Sequence, residues 1–170
     1  MIYHSAASRT VLDWLEQGKL DVAFALGNEL QGRKGLAYVA IDQIREVLAV
    51  SADHPKATQE ATFLDFRDEP VFFTPSPESG LAEYRLRLES IGFSPDKLIE
   101  TENLLSSCAS VEQMQGVAFL LESCRLLNDK AFRTYPSHQS ATLMLVYRKD
   151  NKKRAVRRLV EEANQLLKHD

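Results

Sequence analysis

Few side chains in this 170-residue sequence are spaced for covalent or metal chemistry. The two cysteines, Cys108 and Cys124, form no C-x-x-C, and the four histidines, His4, His54, His138 and His169, share no ligand spacing. A structural zinc site is therefore not encoded. The thiols read either as two small buried apolar residues or as a redox pair brought together by a loop rearrangement. No G-x-S-x-G elbow, P-loop or G-x-G-x-x-G occurs. The paired acids Asp68 and Glu69 flank a turn and read as exposed loop. Nothing nominates a catalytic group, so the expectation is a protein that is not an enzyme and has no cofactor or metal. What remains is subtler. Ser8 opens an apolar-periodic stretch, where its hydroxyl can accept a free first-turn N–H.

The charge balance of 21 basic and 24 acidic residues and the 44% hydrophobic content are those of an ordinary globular chain. Two cysteines suggest a reducing, intracellular setting. The opening MIYHSAASRT has no apolar signal core and no stretch has the length of a membrane span. A cytoplasmic protein without membrane contact is the expectation. Residues 148–170 carry 8 basic and 4 acidic side chains, against 13 and 20 in the rest. That tail is read as a solvated helix face, because Arg157–Glu161 and Arg158–Glu162 answer part of its charge at i,i+4. The chain is a poor candidate for direct nucleic-acid binding.

The elements that must position such groups alternate. Residues 8–18 predict a helix with Val11, Leu12 and Leu15 on its apolar face and Gly18 at its left-handed end. Leu20–Leu26, Leu36–Ile41, Arg45–Ser51 and Val71–Phe73 read as strands, with a helical turn at 62–67. The loop 74–80 leads to a helix at 81–91 that should bury Leu81, Tyr84, Leu88 and Ile91, and Gly92 stops it. A strand at 97–100, a helix near 104–114, a strand at 116–121 and a short helix near 122–127 follow. Strands at 130–134 and 141–148 and a closing helix at 152–168 complete the chain. The alternation predicts parallel sheets with helices on their faces, the α/β class.

The order of motifs is more specific than any one of them. Leu12 to Ala23 has the form LLxxLxxGxLDxAI, Val50 to Pro55 the form VxxxHPLA. Leu64-Asp65-Phe66 with Pro70, the loop Pro75-Ser76-Pro77-Glu78-Ser79-Gly80, and Ile91 to Pro95 come next. Met114 to Leu120 and Leu143 to Arg148 complete the series. From about residue 5 onward this resembles the effector-binding domain of LysR-type transcriptional regulators. Met114 stands where that family usually has glycine, and Leu121 where it has proline.

The resemblance implies a two-lobed, periplasmic-binding-protein-like fold of type 2, with lobe I shortened by its first strand and helix. Lobe I would be 1–43 with 141–170, and lobe II 44–140. It implies a small, anionic effector in the cleft between lobes, near Ser8 and Ala7 on one side and Ser76, Ser79 and Gly80 on the other. Ser8 and Ser79 are open to two readings, plain helix caps or part of an anion site built on two helix N-termini. A homodimer is implied as well, and DNA contact only through a helix-turn-helix outside this sequence. The other readings are a solute-binding protein and a ligand-free interaction module.

Overall fold

The computed structural model describes residues 8–75, 80–127 and 130–166. The chain divides into two compact units, residues 1–44 with 141–170 and residues 45–140. Its helices are α1 (Ser8–Glu16), α2 (Leu81–Ser90), α3 (Leu104–Glu112) and α4 (Arg154–Leu166). Its strands are β1 (Val22–Leu26), β2 (Leu36–Ser51), β3 (Val71–Phe73), β4 (Leu98–Glu100), β5 (Ala118–Leu121) and β6 (Phe132–Arg148). The chain passes from one unit to the other inside β2, at Ile44–Arg45, and returns inside β6, at Ser140–Ala141.

In the first unit, α1 buries Leu12 and Leu15 against Ala23 and Ala25 of β1, Leu30, Leu36 and Val146. The helix ends as a Schellman motif. Gly18 takes φ +74 and donates to the Leu15 carbonyl, while the Lys19 N–H reaches back to Trp14 at 2.8 Å. Arg148 completes this cap, donating to the carbonyls of Leu15 at 3.1 Å and Leu20 at 3.4 Å. A cation at the negative end of the helix dipole supports the same terminus. β1 runs antiparallel to the end of β6, with Val22 opposite Tyr147 and Leu26 opposite Leu143. In α4 the apolar face buries Val156 and Ala163 and leaves the basic side chains outside.

The second unit has an apolar layer on each face of its strands. Leu48 and Val50 of β2, Val71 and Phe119 join Phe63, Phe66, Leu88, Phe93, Val117 and Tyr135 on one side. Ala49, Phe72, Ala118 and Leu120 join Cys108, Val111 and Phe132 on the other. Covering both faces explains why residues 47–50 form an unbroken apolar run. β2 pairs antiparallel with β5, Glu46 opposite Leu121, and β3 pairs parallel with β4, Val71 opposite Leu98.

Several elements differ from expectation. Both directions occur: β1 with β6 and β2 with β5 pair antiparallel, while β3 with β4, and a bridge from Val71 to Val117, are parallel. Alternating elements do not specify strand direction, because pairing is set by residues far apart in sequence. The predicted strands 36–41 and 45–51 are one strand, and so are 130–134 and 141–148. Residues 122–127 form turns closed by Cys124 N–H to Leu121 O and Leu127 N–H to Cys124 O, not a helix. In α2 only Leu88 is buried, and Leu81 is 49% exposed. Glu69 is not free loop: it contacts His54 at 3.4 Å and Lys56 at 3.3 Å. Met114 adopts φ +56, the left-handed conformation that accounts for a glycine preference at that position.

Candidate functional site

The parallel pair β3–β4 delivers a hydroxyl at the C-terminal end of each strand. Thr101 follows Glu100 and donates its N–H to the Phe73 carbonyl at 2.9 Å, which sets it beside the end of β3. Its Oγ1 lies 3.1 Å from Phe73 O, 2.6 Å from Ser107 Oγ and 3.1 Å from Thr74 Oγ1. Ser107 is 1% exposed, so the chain of hydroxyls runs from this buried residue of α3 outward to exposed Thr74. Each member can donate or accept, so the outer hydroxyl can turn toward a carboxylate or an alcohol.

Helix α3 starts three residues after Thr101, and Tyr84 of α2 stacks on Phe73, the last residue of β3, with ring centroids 4.6 Å apart. Asn103 caps α3, its Oδ1 accepting from Ser106 N at 2.9 Å. Gly80 stands at the N-cap of α2 in an extended conformation, and its carbonyl accepts the first helical bond, from Tyr84 N. Gly80 brings no side chain to the first-turn N–H groups, and a Cβ there would meet nothing within 4 Å. The C-terminal edge of parallel strands together with helix N-termini is the usual address of anionic ligands in α/β sheets.

The sequence-predicted residues are placed unevenly. Gly80 lies at the start of α2, and Ser8 is the first residue of α1 in the other unit. Ala7, Ser76 and Ser79 lie outside the described residues. Sequence reasoning missed Thr74, Thr101 and Ser107. For Thr74 and Thr101 the signal was a hydroxyl directly after each of two short strands, which means something only once the strands are known to be parallel neighbours; Ser107, inside α3, carried none.

Other groups are already engaged. A surface depression of about 450 Å³ is lined by Glu16, Gly35, Leu36, Arg148, Lys149 and Asp150. Its charges are paired: Arg148 with helix carbonyls and Asp150, Lys149 with the Lys34 carbonyl, Glu16 with Arg33. Burial pushes the Cys108 thiol up to about 11, with the neighbouring Cys124 adding to the rise. Burial likewise pushes the Tyr84 hydroxyl up to about 12. A hydrogen bond from Lys153 lowers the Asp21 carboxyl. Among the described residues no cluster of three or more His, Cys, Asp or Glu is placed to hold a metal ion, and no helix is long and apolar enough to cross a membrane.

The chain belongs to the LysR substrate binding domain family, whose model matches residues 3–168. Its fold is the mixed α/β, periplasmic-binding-protein-like fold of type 2 found in the effector-binding domains of LysR-type regulators. The effector-binding domain of BenM with its effector benzoate superposes with a TM-score of 0.75 at 16% identity, over 98% of this chain and 78% of that one. The effector-binding domain of QuiR in complex with shikimate gives 0.72 at 17% identity, over 93% and 77%. CbnR, a LysR family transcriptional regulator, gives 0.76 at 16% identity over 95% of this chain and 57% of its own length. No curated protein sequence matches the chain.

Proposed function

We propose that this chain is the sensing part of a LysR-type regulator and binds a small organic anion. The observation that carries the reading is the hydroxyl series Thr74–Thr101–Ser107 at the C-terminal ends of β3 and β4, in a chain of this family. In this reading residues 1–43 with 141–170 are lobe I and 44–140 are lobe II. Ser8 and Ala7 serve from lobe I, and Ser76, Ser79 and Gly80 from lobe II. Benzoate and shikimate, the ligands of BenM and QuiR, are both carboxylates, a group that hydroxyl donors and helix N-termini can hold.

Thermal shift and calorimetry with a panel of small carboxylates, sugar acids and amino acids test this. At a ligand concentration 100 times Kd, binding should stabilise the chain by about 2.7 kcal/mol. Ser8→Gly should weaken binding roughly 2- to 13-fold, the loss of one neutral hydrogen bond. Unchanged affinity in Ser8→Gly would leave Ser8 as a helix residue only. No stabilisation by any compound at millimolar concentration would remove the sensing role.

Self-association is the second part of the proposal. Leu86 is 65% exposed, Leu105 64% and Phe24 57%, apolar surface that pairing would cover. Light scattering at micromolar concentration should give twice the 19.2 kDa chain mass. A clean monomer would count against it.

A further inference from the structure

Glu46 is the second residue of the second unit after the chain enters it along β2, and its carboxylate is shared between two other elements. Arg87 Nη1 of α2 donates to Oε2 at 2.6 Å. The Ser137 hydroxyl of β6 lies 3.0 Å from Oε1 and 3.2 Å from the Glu46 carbonyl oxygen. Ser137 is 1% exposed and stands three residues before the chain leaves the unit at Ser140. It also accepts from the Gln139 N–H, across His138 at φ +62. One carboxylate therefore joins both crossing strands to α2.

The cation is held in place as well. The Arg87 guanidinium sits 4.8 Å from the centroid of the Tyr84 ring and 5.9 Å from that of Phe119. Tyr84 stacks on Phe73, the last residue of β3, with centroids 4.6 Å apart. Arg87 thus touches an aromatic on its own helix, one on β5, and the acid at the crossing. An ordinary surface ion pair has none of these supports and fixes little. The Glu46 side chain is only 13% exposed, so Arg87 and Ser137 replace much of the water its carboxylate would otherwise meet.

We propose that Arg87 is a positioning residue: through Glu46 and Ser137 it latches α2 to both segments on which the chain crosses between its units. Gly80 caps the start of helix α2, so anything bound at that end would pull on the crossings through the helix. That consequence rests on the sensing reading above; the latch itself does not.

The test needs no ligand. Hydrogen exchange by mass spectrometry is followed at residues 44–48, 136–141 and, as an internal reference, 71–73, in the parent chain, Arg87→Met, Glu46→Gln and Ser137→Ala. Loss of a charged hydrogen bond should speed exchange roughly 10- to 100-fold at both crossing segments in Arg87→Met and Glu46→Gln, with 71–73 unchanged. The double variant should be no faster than either single one, because both remove the same link. Ser137→Ala, the mildest change, should speed 136–141 by several-fold. Acceleration at one crossing only, at every segment alike, or at none would overturn the latch. Additive effects in the double variant would do the same. If no carboxylate binds the chain, the exchange result still stands by itself.

Discussion

Gly116→Ala should destabilise the second unit by about 4 kcal/mol or more, enough to leave much of the chain unfolded given the usual margin of about 5–15 kcal/mol. Gly116 has φ +155, and a Cβ built on it lies 2.2 Å from the Pro70 carbonyl oxygen and 2.9 Å from Phe72 Cε2. The Pro70 oxygen has no room to retreat. It accepts from Val117 N at 2.8 Å, and Phe72 N donates to Val117 O at 2.8 Å, so moving it by the ångström required breaks the bridge between β3 and the start of β5. The cost combines crowding of about 1–3 kcal/mol, strained backbone of about 1–3, and about 0.5–1.5 for each lost hydrogen bond. Urea denaturation measures it. Gly35→Ala is the control: a Cβ there meets nothing within 4 Å, so the midpoint should hold or rise slightly. A Gly116→Ala midpoint as high as the parent's would show that the bridge is soft.

Phe93→Ala should cost about 3–5 kcal/mol, through the cavity left by a large side chain. Phe93 is fully buried, stacked on Phe63 with centroids 6.2 Å apart and edge-on to Phe119 at 5.1 Å. It also closes α2. Gly92 takes φ +78 and the Phe93 N–H returns to Leu88 O at 3.0 Å, so Phe93 and the equally buried Leu88 form the apolar contact of a Schellman motif. Phe93→Leu keeps that contact and most of the volume and should lose clearly less. Equal losses in the two variants would mean that ring stacking, not volume, sets the energy.

Helix ends were legible in the sequence because their signals are local. Gly18 and Gly92 both take the left-handed conformation that ends α1 and α2, and each closes its cap with residues within five positions. The apolar periodicity that marked Leu12, Leu15 and Leu88 as core was equally local. The long strands were not legible. Asp42 and Gln43 interrupt the apolar run of β2, yet the strand continues, with Gln43 Nε2 donating to Thr142 Oγ1 of the neighbouring strand at 2.8 Å. Pro136 and the polar run to Ser140 hid the continuity of β6 in the same way. Both interruptions fall at or near the positions where the chain passes between units, outside the buried stretches of either strand.

The amino-acid sequence by itself determined the kind of chain this is: the order of its elements, the caps that end its helices, and the motif series that places it in the LysR substrate binding domain family. Those properties depend on neighbours a few residues apart, or on segment order alone. Tertiary structure decided strand direction, the three hydroxyls at the ends of β3 and β4, and the sharing of Glu46 between Arg87 and Ser137. Residues 46, 87 and 137 come together only through pairings and packing across 41 and 91 positions of chain. No propensity or spacing encodes such a meeting, because it arises from burying many apolar side chains at once rather than from any preference of the three residues themselves.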